Sequence, residues 1–183
     1  AFLTWDHPLV CAALDVLLGS PAGNAGFAFW KASGGEGLVL QTCFIAECIA
    51  PPALHAARFM PAMPLRVAVD HQGRDLSADP AFTRAKLTAG DPTRTVENET
   101  VRHKLLPSML GKAQQLAEAQ LKTLQQRAVA AMRKQMDEEI ARLEDLQARN
   151  PHVRPEEIDA LREQRDALAA AIGATTVRLD AVR

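Results

Sequence analysis

Residues 143–158 read LEDLQARNPHVRPEEI, and this stretch decides how the second half of the chain folds. Apolar residues recur every three or four positions both before and after it, as expected for two amphipathic helices. Asn150 and Pro151 end the first helix, and acidic residues directly after Pro155 favour the start of the second. The chain therefore reverses near 150–155, and the two apolar stripes are predicted to face each other in an antiparallel helical hairpin.

The two apolar stripes differ in length. At 1.5 Å per residue, a helix over 112–149 would span roughly 57 Å and one over 156–183 roughly 42 Å. The N-terminal end of the longer helix, around 96–120, must therefore pack on the first half of the chain, meet another chain or protrude. Pro107 and Gly111 predict a break there. The stripes consist of Leu110, Ala113, Ala117, Leu121, Leu124, Ala128, Ala131, Met132, Met136, Ile140 and Leu143, and of Ile158, Leu161, Leu168, Ile172, Leu179 and Val182, the second interrupted by Arg165, Thr175 and Thr176.

The amino-acid composition of the chain changes at Val96. All aromatic residues, all Cys and most Gly and Pro precede it, whereas good helix formers dominate after it. We predict an aromatic-cored α+β domain over 1–95 and the helical hairpin over 96–183. The fold class is α+β, with a small mixed or antiparallel sheet of roughly three to five strands and one or two helices before the hairpin.

Local patterns place the elements of the first domain. The pattern over 38–50 is typical of a central strand covered on both faces. The predicted elements are a helix over 7–18 capped by Asp6, strands over 24–32 and 38–50 joined as a hairpin by a turn at 33–37, a strand over 65–69, a turn over 71–74 and a helix over 80–89 capped by Asp79.

Composition excludes several classes of protein. The net charge is −1, with 48 % hydrophobic and 23 % charged residues, so no bulk basic charge favours binding to nucleic acid. The longest apolar runs fall far short of the ~20 residues that a membrane helix needs. An odd number of Cys argues against a disulfide framework. The chain starts at Ala1 without a signal-peptide pattern, so we expect a cytoplasmic protein cut from a longer one.

The sequence contains little that favours a nucleotide or metal site. No GxxxxGK[ST] loop occurs, and the glycines at 34–37 lack the spacing of a dinucleotide loop. A thiolate metal site, or a thiol enzyme, would have to use Cys43 and Cys48, with Cys11, His7 and His55 as further ligands. Five positions separate Cys43 from Cys48, wider than the usual ligand pair, so buried cysteines are the simpler interpretation.

Nucleophilic catalysis also lacks support, because no G-x-S-x-G occurs and the five His are scattered. For His7, in the first turn of the predicted helix, capping or packing is the expected role. His103 and His152 lie in charged helical surroundings and are expected to be solvated.

Two clusters of charged residues are the remaining candidates for a functional site. Asp137, Glu138 and Glu139 followed by Arg142 are typical of a solvated helix face with pairs three or four residues apart. Arg58, Arg66 and Arg74 could form a basic patch near a sheet edge, but Phe59 is the sole aromatic interleaved with them, which disfavours a nucleic-acid surface. We assign no catalytic, cofactor-binding or metal residue.

The order of many short motifs resembles the C-terminal region of a bacterial family of RNA polymerase-associated, Swi2/Snf2-type ATPases. The likeness covers nearly the whole chain, and central stretches such as 32–37 and 85–91 diverge. Its motifs are Trp5-Asp6-His7-Pro8-Leu9, Asp15-Val16-Leu17-Leu18-Gly19, Gly23-Asn24-Ala25, Glu47-Cys48 with Ala50-Pro51, Arg58-Phe59-Met60-Pro61, Leu65-Arg66-Val67, Glu118-Ala119-Gln120, Arg142-Leu143-Glu144, Asn150-Pro151-His152-Val153-Arg154 and Arg178-Leu179-Asp180-Ala181-Val182-Arg183.

The resemblance implies a parent protein that binds core RNA polymerase, hydrolyses ATP with Mg²⁺ and promotes polymerase recycling in transcription. The helicase-like ATPase lobes of that family precede this region, and none of their motifs occurs here. We therefore expect a non-catalytic C-terminal domain that engages the polymerase or regulates the hydrolase. Its expected partners are the polymerase core and the parent's ATPase lobes, with nucleic acid reached through the parent and no membrane. The alternative is a free-standing coiled-coil adapter or homodimerisation module.

Overall fold

The structure is a computed structural model that describes residues 4–5, 7–19, 24–30, 37–150 and 152–183. Its elements confirm the predicted α+β fold class. The Asp6 cap and most of the turn at 33–37 lie outside the described residues. In chain order the elements are α1 (Pro8–Gly19), β1 (Ala28–Trp30), β2 (Val39–Glu47), short 3₁₀ turns (Pro52–Leu54 and Ala56–Arg58), β3 (Met63–Asp70), α2 (Pro80–Thr83), β4 (Leu87–Ala89), α3 (Thr93–Glu97), a π-helical turn (Val101–Leu105), α4 (Leu106–Gln147), α5 (Pro155–Gly173) and β5 (Thr176–Val182).

Strand β2 lies between β3 and β5 in a sheet of order β3-β2-β5. Its side chains alternate along the strand, so that Leu40, Phe44 and Ala46 are buried while the opposite face is half-buried. This confirms the central strand predicted over 38–50. Gln41 and Arg183 exchange two backbone hydrogen bonds of 2.7 Å, the pattern of an antiparallel pair.

Strand β1 forms a separate antiparallel pair with β4, in which Phe29 faces Thr88 and Trp30 faces Leu87. The predicted hairpin between 24–32 and 38–50 is therefore wrong. Aromatic packing gives the physical reason, because the Trp30 ring lies 5.0 Å from the ring of Phe82, just before β4. The helix predicted over 80–89 is correspondingly shorter, since α2 ends at Thr83 and β4 begins at Leu87.

The chain forms two compact units that are each discontinuous in sequence. Unit 1 contains Ala1–Phe44, Arg66–Leu116 and Leu179–Arg183, and unit 2 contains Ile45–Leu65 and Ala117–Arg178. A domain boundary at residue 95 stays a prediction.

A side-chain cap begins the helical half of the chain. The Asn98 Oδ1 atom accepts hydrogen bonds from the backbone N–H groups of Thr100 (3.0 Å) and Val101 (3.2 Å). The π-helical turn follows, and α4 then runs unbroken through Pro107 and Gly111, so the predicted break there is wrong. Pro107 has no N–H to donate, and it directly follows the π-helical turn, in which the Leu106 N–H donates to the carbonyl of Val101 five residues back.

The N-terminal end of α4 is covered within the single chain. Met109 and Ala113 belong to unit 1 and are 2 % and 0 % exposed. Of the three possibilities that the length difference left open, packing within this chain is the one observed.

Helices α4 and α5 form the predicted hairpin within unit 2. The apolar stripes meet as expected: Met132 and Ile140 of α4 and Leu168 and Ile172 of α5 are buried. The turn falls between Gln147, where α4 ends, and Pro155, where α5 starts.

The C-terminal end of the hairpin departs from the prediction. A helix was expected to continue to 183, but α5 ends at Gly173 and β5 follows. The sequence Thr175-Thr176-Val177 supplies three consecutive β-branched residues, which favour an extended strand once the helix has ended. Leu179 and Val182, assigned to the helical stripe, lie in this strand.

Candidate protein-interaction surface

Helix α1 is positioned by a short N-terminal turn. The backbone N–H of His7 donates to the carbonyl of Thr4, and the Nδ1 atom of His7 accepts from the N–H of Leu9 at 3.1 Å. His7 therefore caps the helix, which confirms one of the roles expected for it. Pro8 occupies the first helical position, where its fixed φ suits the helix.

Trp5 and the described side chains of α1, residues 8–16, form an exposed apolar surface, called the α1 surface below. Trp5 is 80 % exposed, Leu9 65 % and Val16 58 %, and Val10 and Leu14 are only half-buried. Asp15 is the single charged residue between Pro8 and Gly19. The prediction of an aromatic-cored first domain is thus only partly right, since Phe44 is buried but Trp5 and Phe29 are exposed.

Sequence reasoning missed the α1 surface because it treated a helical apolar spacing as a sign of burial. One signal could have found it. Apolar residues occupy almost every position of α1 rather than one face, and a helix of that kind needs cover on all sides.

The cysteines considered as metal ligands are dispersed. Cys11 is exposed and Cys43 and Cys48 are half-buried, all as free thiols. The Cys48 thiol lies 3.4 Å from the carbonyl oxygen of Ala171 in α5, so it packs against the hairpin. Within the described ranges no three His, Cys, Asp or Glu side chains are grouped so that they could hold a metal ion. The assignment of no metal residue remains a prediction.

Two of the three arginines proposed as a basic patch, Arg58 and Arg74, contact their own neighbours. Arg58 belongs to unit 2 and lies over the ring of Phe59, 5.5 Å from its centre, whereas Arg66 and Arg74 belong to unit 1. The Nε atom of Arg74 donates to Asp70 at 2.6 Å. The charge of Arg74 is therefore partly neutralised, which weakens the nucleic-acid hypothesis further.

Asp70 is the buried charged group of this region, with 3 % of its surface exposed. Its Oδ1 atom accepts from the backbone N–H groups of Gln72 (2.9 Å) and Arg74 (2.8 Å). Burial alone would raise the pKa of Asp70. The hydrogen bonds from the backbone and side chain of Arg74 and from Gln72, together with the positive charge of Arg74, outweigh burial and lower that pKa. Asp70 thus stabilises the tight turn predicted over 71–74.

Ion pairs line the hairpin of unit 2. The predicted pair of Arg142 with Glu139 forms three residues apart on the exposed face of α4. Arg165, which interrupts the apolar stripe of α5, donates to Asp137 of α4 at 2.9 Å and to Asp166 at 2.8 Å. Hydrogen bonds to Asp166 and Asp137 raise the pKa of Arg165. The pair of Arg165 with Asp137 connects the two helices, and these side chains, with Arg133 and Asp166, line an open depression on the surface of the hairpin.

Among the solvated histidines, His103 accepts a hydrogen bond at its Nε2 atom from Arg102 at 3.1 Å. His152 is exposed and donates its backbone N–H to Asn150. Neither contact joins a nucleophile or a second base, so both residues agree with the solvated role expected for them.

Comparison with known proteins decides the family. Over residues 1–183, the whole sequence matches the family described as "RNA polymerase recycling family C-terminal". The chain belongs to this family. This agrees with the resemblance drawn from the short motifs along the chain.

Curated members of the RNA polymerase recycling family are similar over the full length of the chain. It is 37 % identical over 188 residues to the RNA polymerase-associated protein RapA of Stutzerimonas stutzeri (strain A1501). It is 34 % identical to RapA of Pseudomonas aeruginosa (strain LESB58) and 35 % identical to RapA of Pseudomonas putida (strain GB-1). The matches cover 100 % of this chain and 20 % of each relative, so the chain spans about a fifth of their length.

This family member exposes an apolar helical surface. In the part of the chain that the structure describes, no helix combines the length and apolar character needed to cross a membrane. The α1 surface is apolar, which suits packing against another apolar surface rather than binding to phosphate.

Proposed function

We propose that this chain is the non-catalytic C-terminal domain of an ATP-dependent RNA polymerase recycling factor in the bacterial cytoplasm. The family match over all 183 residues carries this proposal. ATP and Mg²⁺ would be bound by the helicase-like lobes of the longer protein, not by residues of this chain. The domain acts through protein contacts, either by engaging core polymerase or by regulating the ATPase, and nucleic acid is reached through the parent.

Two features of the chain support a role in protein contacts. The α1 surface offers exposed Leu9 and Val16 with one acidic residue nearby. The charged groups around Arg165 and Asp70 are paired within their own units, where they stabilise the fold. Both observations favour a domain that acts by packing rather than by chemistry of its own.

The decisive experiment compares the full-length protein with a form that lacks residues 1–183. Pull-down of core RNA polymerase and the rate of ATP hydrolysis are measured for both forms. Loss of pull-down supports polymerase engagement, and a changed hydrolysis rate with intact pull-down supports regulation. If neither quantity changes, or if the 183-residue chain alone hydrolyses ATP, the proposal is contradicted.

The alternative of a coiled-coil adapter or homodimer depends on an uncovered face of the long helix. Met109 and Ala113 on that helix are buried within the single chain. The face is therefore occupied, which favours the first proposal. Sedimentation at tens of micromolar distinguishes the two, because an adapter of this kind would sediment as a dimer.

A further inference from the structure

Helix α1 has more apolar surface than the described part of the chain covers. Of its described side chains, residues 8–16, none is buried. The exposed ones include Leu9 and Val16, and Trp5 just before the helix is exposed as well. A helix that is apolar on all sides is stable in water only when another surface covers it.

We propose that α1 packs against an apolar surface in the remainder of the longer polypeptide, outside these 183 residues. This inference rests on the proposed function, which places the chain within such a polypeptide. The relatives contain enough further polypeptide to form such a contact, because four fifths of each relative lies outside the matched region. The contact is intramolecular and joins this domain to its parent.

The character of the surface favours a permanent partner over a transient one. Interfaces that form and dissolve are about as apolar as ordinary protein surface, whereas permanent ones are more apolar and resemble a core. The sequence PLVCAALDVLLG has Asp15 as its one charged residue, and it therefore suits a permanently buried interface.

The test measures hydrogen exchange of the α1 backbone amides in the full-length protein. Docked α1 is expected to exchange at least about tenfold more slowly than in a variant that cannot dock, which corresponds to about 1.4 kcal/mol of protection. The variant is Leu9→Asp combined with Val16→Lys. It places an acid in the first turn and a base in the last turn, which favours an isolated helix through its dipole. Faster exchange in this variant therefore reports lost docking rather than a weakened helix.

Ile49→Asp is the matched control, because Ile49 is 85 % exposed and lies in unit 2. It should leave exchange in α1 unchanged. The inference is overturned if α1 of the unmodified full-length protein exchanges as fast as in the double variant. It is also overturned if protection appears only after core polymerase is added, or if protection grows with protein concentration, which would indicate a second copy.

Polymerase pull-down and ATP hydrolysis are measured on the same preparations. Loss of the proposed function with α1 still protected would contradict that function and leave the docking intact. Exposed α1 amides with normal pull-down and hydrolysis would contradict the docking alone.

Discussion

The side-chain nitrogen of Gln125 in α4 lies 3.0 Å from the carbonyl oxygen of Gly173, the last residue of α5. The same Nε2 atom lies 3.2 Å from the carbonyl oxygen of Ile172 and 3.1 Å from that of Thr175. The last carbonyls of a helix have no partner within the helix. One side chain of the longer helix therefore adds hydrogen-bond donors at the end of the shorter one, where the chain leaves the hairpin for β5.

Removing this donor should destabilise the chain. Gln125→Ala is expected to lower the free energy of unfolding by about 1 kcal/mol, the usual net value of a hydrogen bond. Gln125→Glu should cost more at pH 7, because carboxylate oxygens would then face carbonyl oxygens. Urea unfolding followed by circular dichroism measures both. Gln126→Glu, at the exposed neighbouring position, is the control, and an equal loss for both glutamate variants would rule out the capping role.

A substitution at Thr175 should instead increase the stability of the chain. It is 5 % exposed, and its hydroxyl has no hydrogen-bond partner within the described part of the chain. Thr175→Val keeps the shape of the side chain and removes the buried polar atom, so the free energy of unfolding should rise by about 1 kcal/mol. Thr176→Val, at the exposed next position, should change it by less than about 0.5 kcal/mol. A loss of stability in Thr175→Val would show that the hydroxyl is satisfied.

The hairpin could be predicted because its signals are local and periodic. The spacing of Met132, Ile140 and Leu168 specifies a buried stripe, and Pro155 starts the second helix whatever packs around it. The end of α5 could not be predicted in the same way. Leu179 continues the helical spacing by coincidence, and the deciding contact comes from Gln125, far away in sequence.

Strand pairing and the α1 surface depended on information that local patterns do not contain. The partner of β1 is set by packing between Trp30 and Phe82, which lie 52 positions apart in sequence. Apolar spacing in α1 predicted the helix correctly, but spacing does not say whether the covering surface lies in the same 183 residues. The family, by contrast, was predictable, because many weak motifs in a fixed order are specific together.

Alanine substitutions at two glycines should change the stability of the chain in opposite directions, because one glycine lies in a turn and the other in a helix. Gly73 has a φ of +80° in the turn after β3, whereas Gly111 lies within α4, and no atom would meet an added Cβ at either position. Gly73→Ala should therefore cost about 1 kcal/mol of backbone strain. Gly111→Ala should stabilise by roughly 0.5–1 kcal/mol through reduced freedom of the unfolded chain. Urea midpoints that shift in the same direction for both variants would contradict these assignments.

The ionisation of Asp70 should make the stability of the chain depend on pH in the acidic range. Folding lowers its pKa below the ordinary value of 3.8, so the ionised form is favoured in the native state. Its contribution is fully present above that value and is lost as the pH falls through the lower native pKa. Asp70→Ala also leaves the N–H groups of Gln72 and Arg74 without their acceptor, at a cost of about 2 kcal/mol at pH 7.

The measurement is the urea midpoint of the chain between pH 7 and pH 2, for the unmodified protein and for Asp70→Ala. The unmodified protein should lose stability most steeply below pH 4, and the variant should show a flatter profile over the same range. Asp145→Ala, an exposed acid on α4, should keep the steep profile. If Asp70→Ala instead retains it, another carboxylate carries the acid dependence and the turn after β3 is stabilised by the backbone alone.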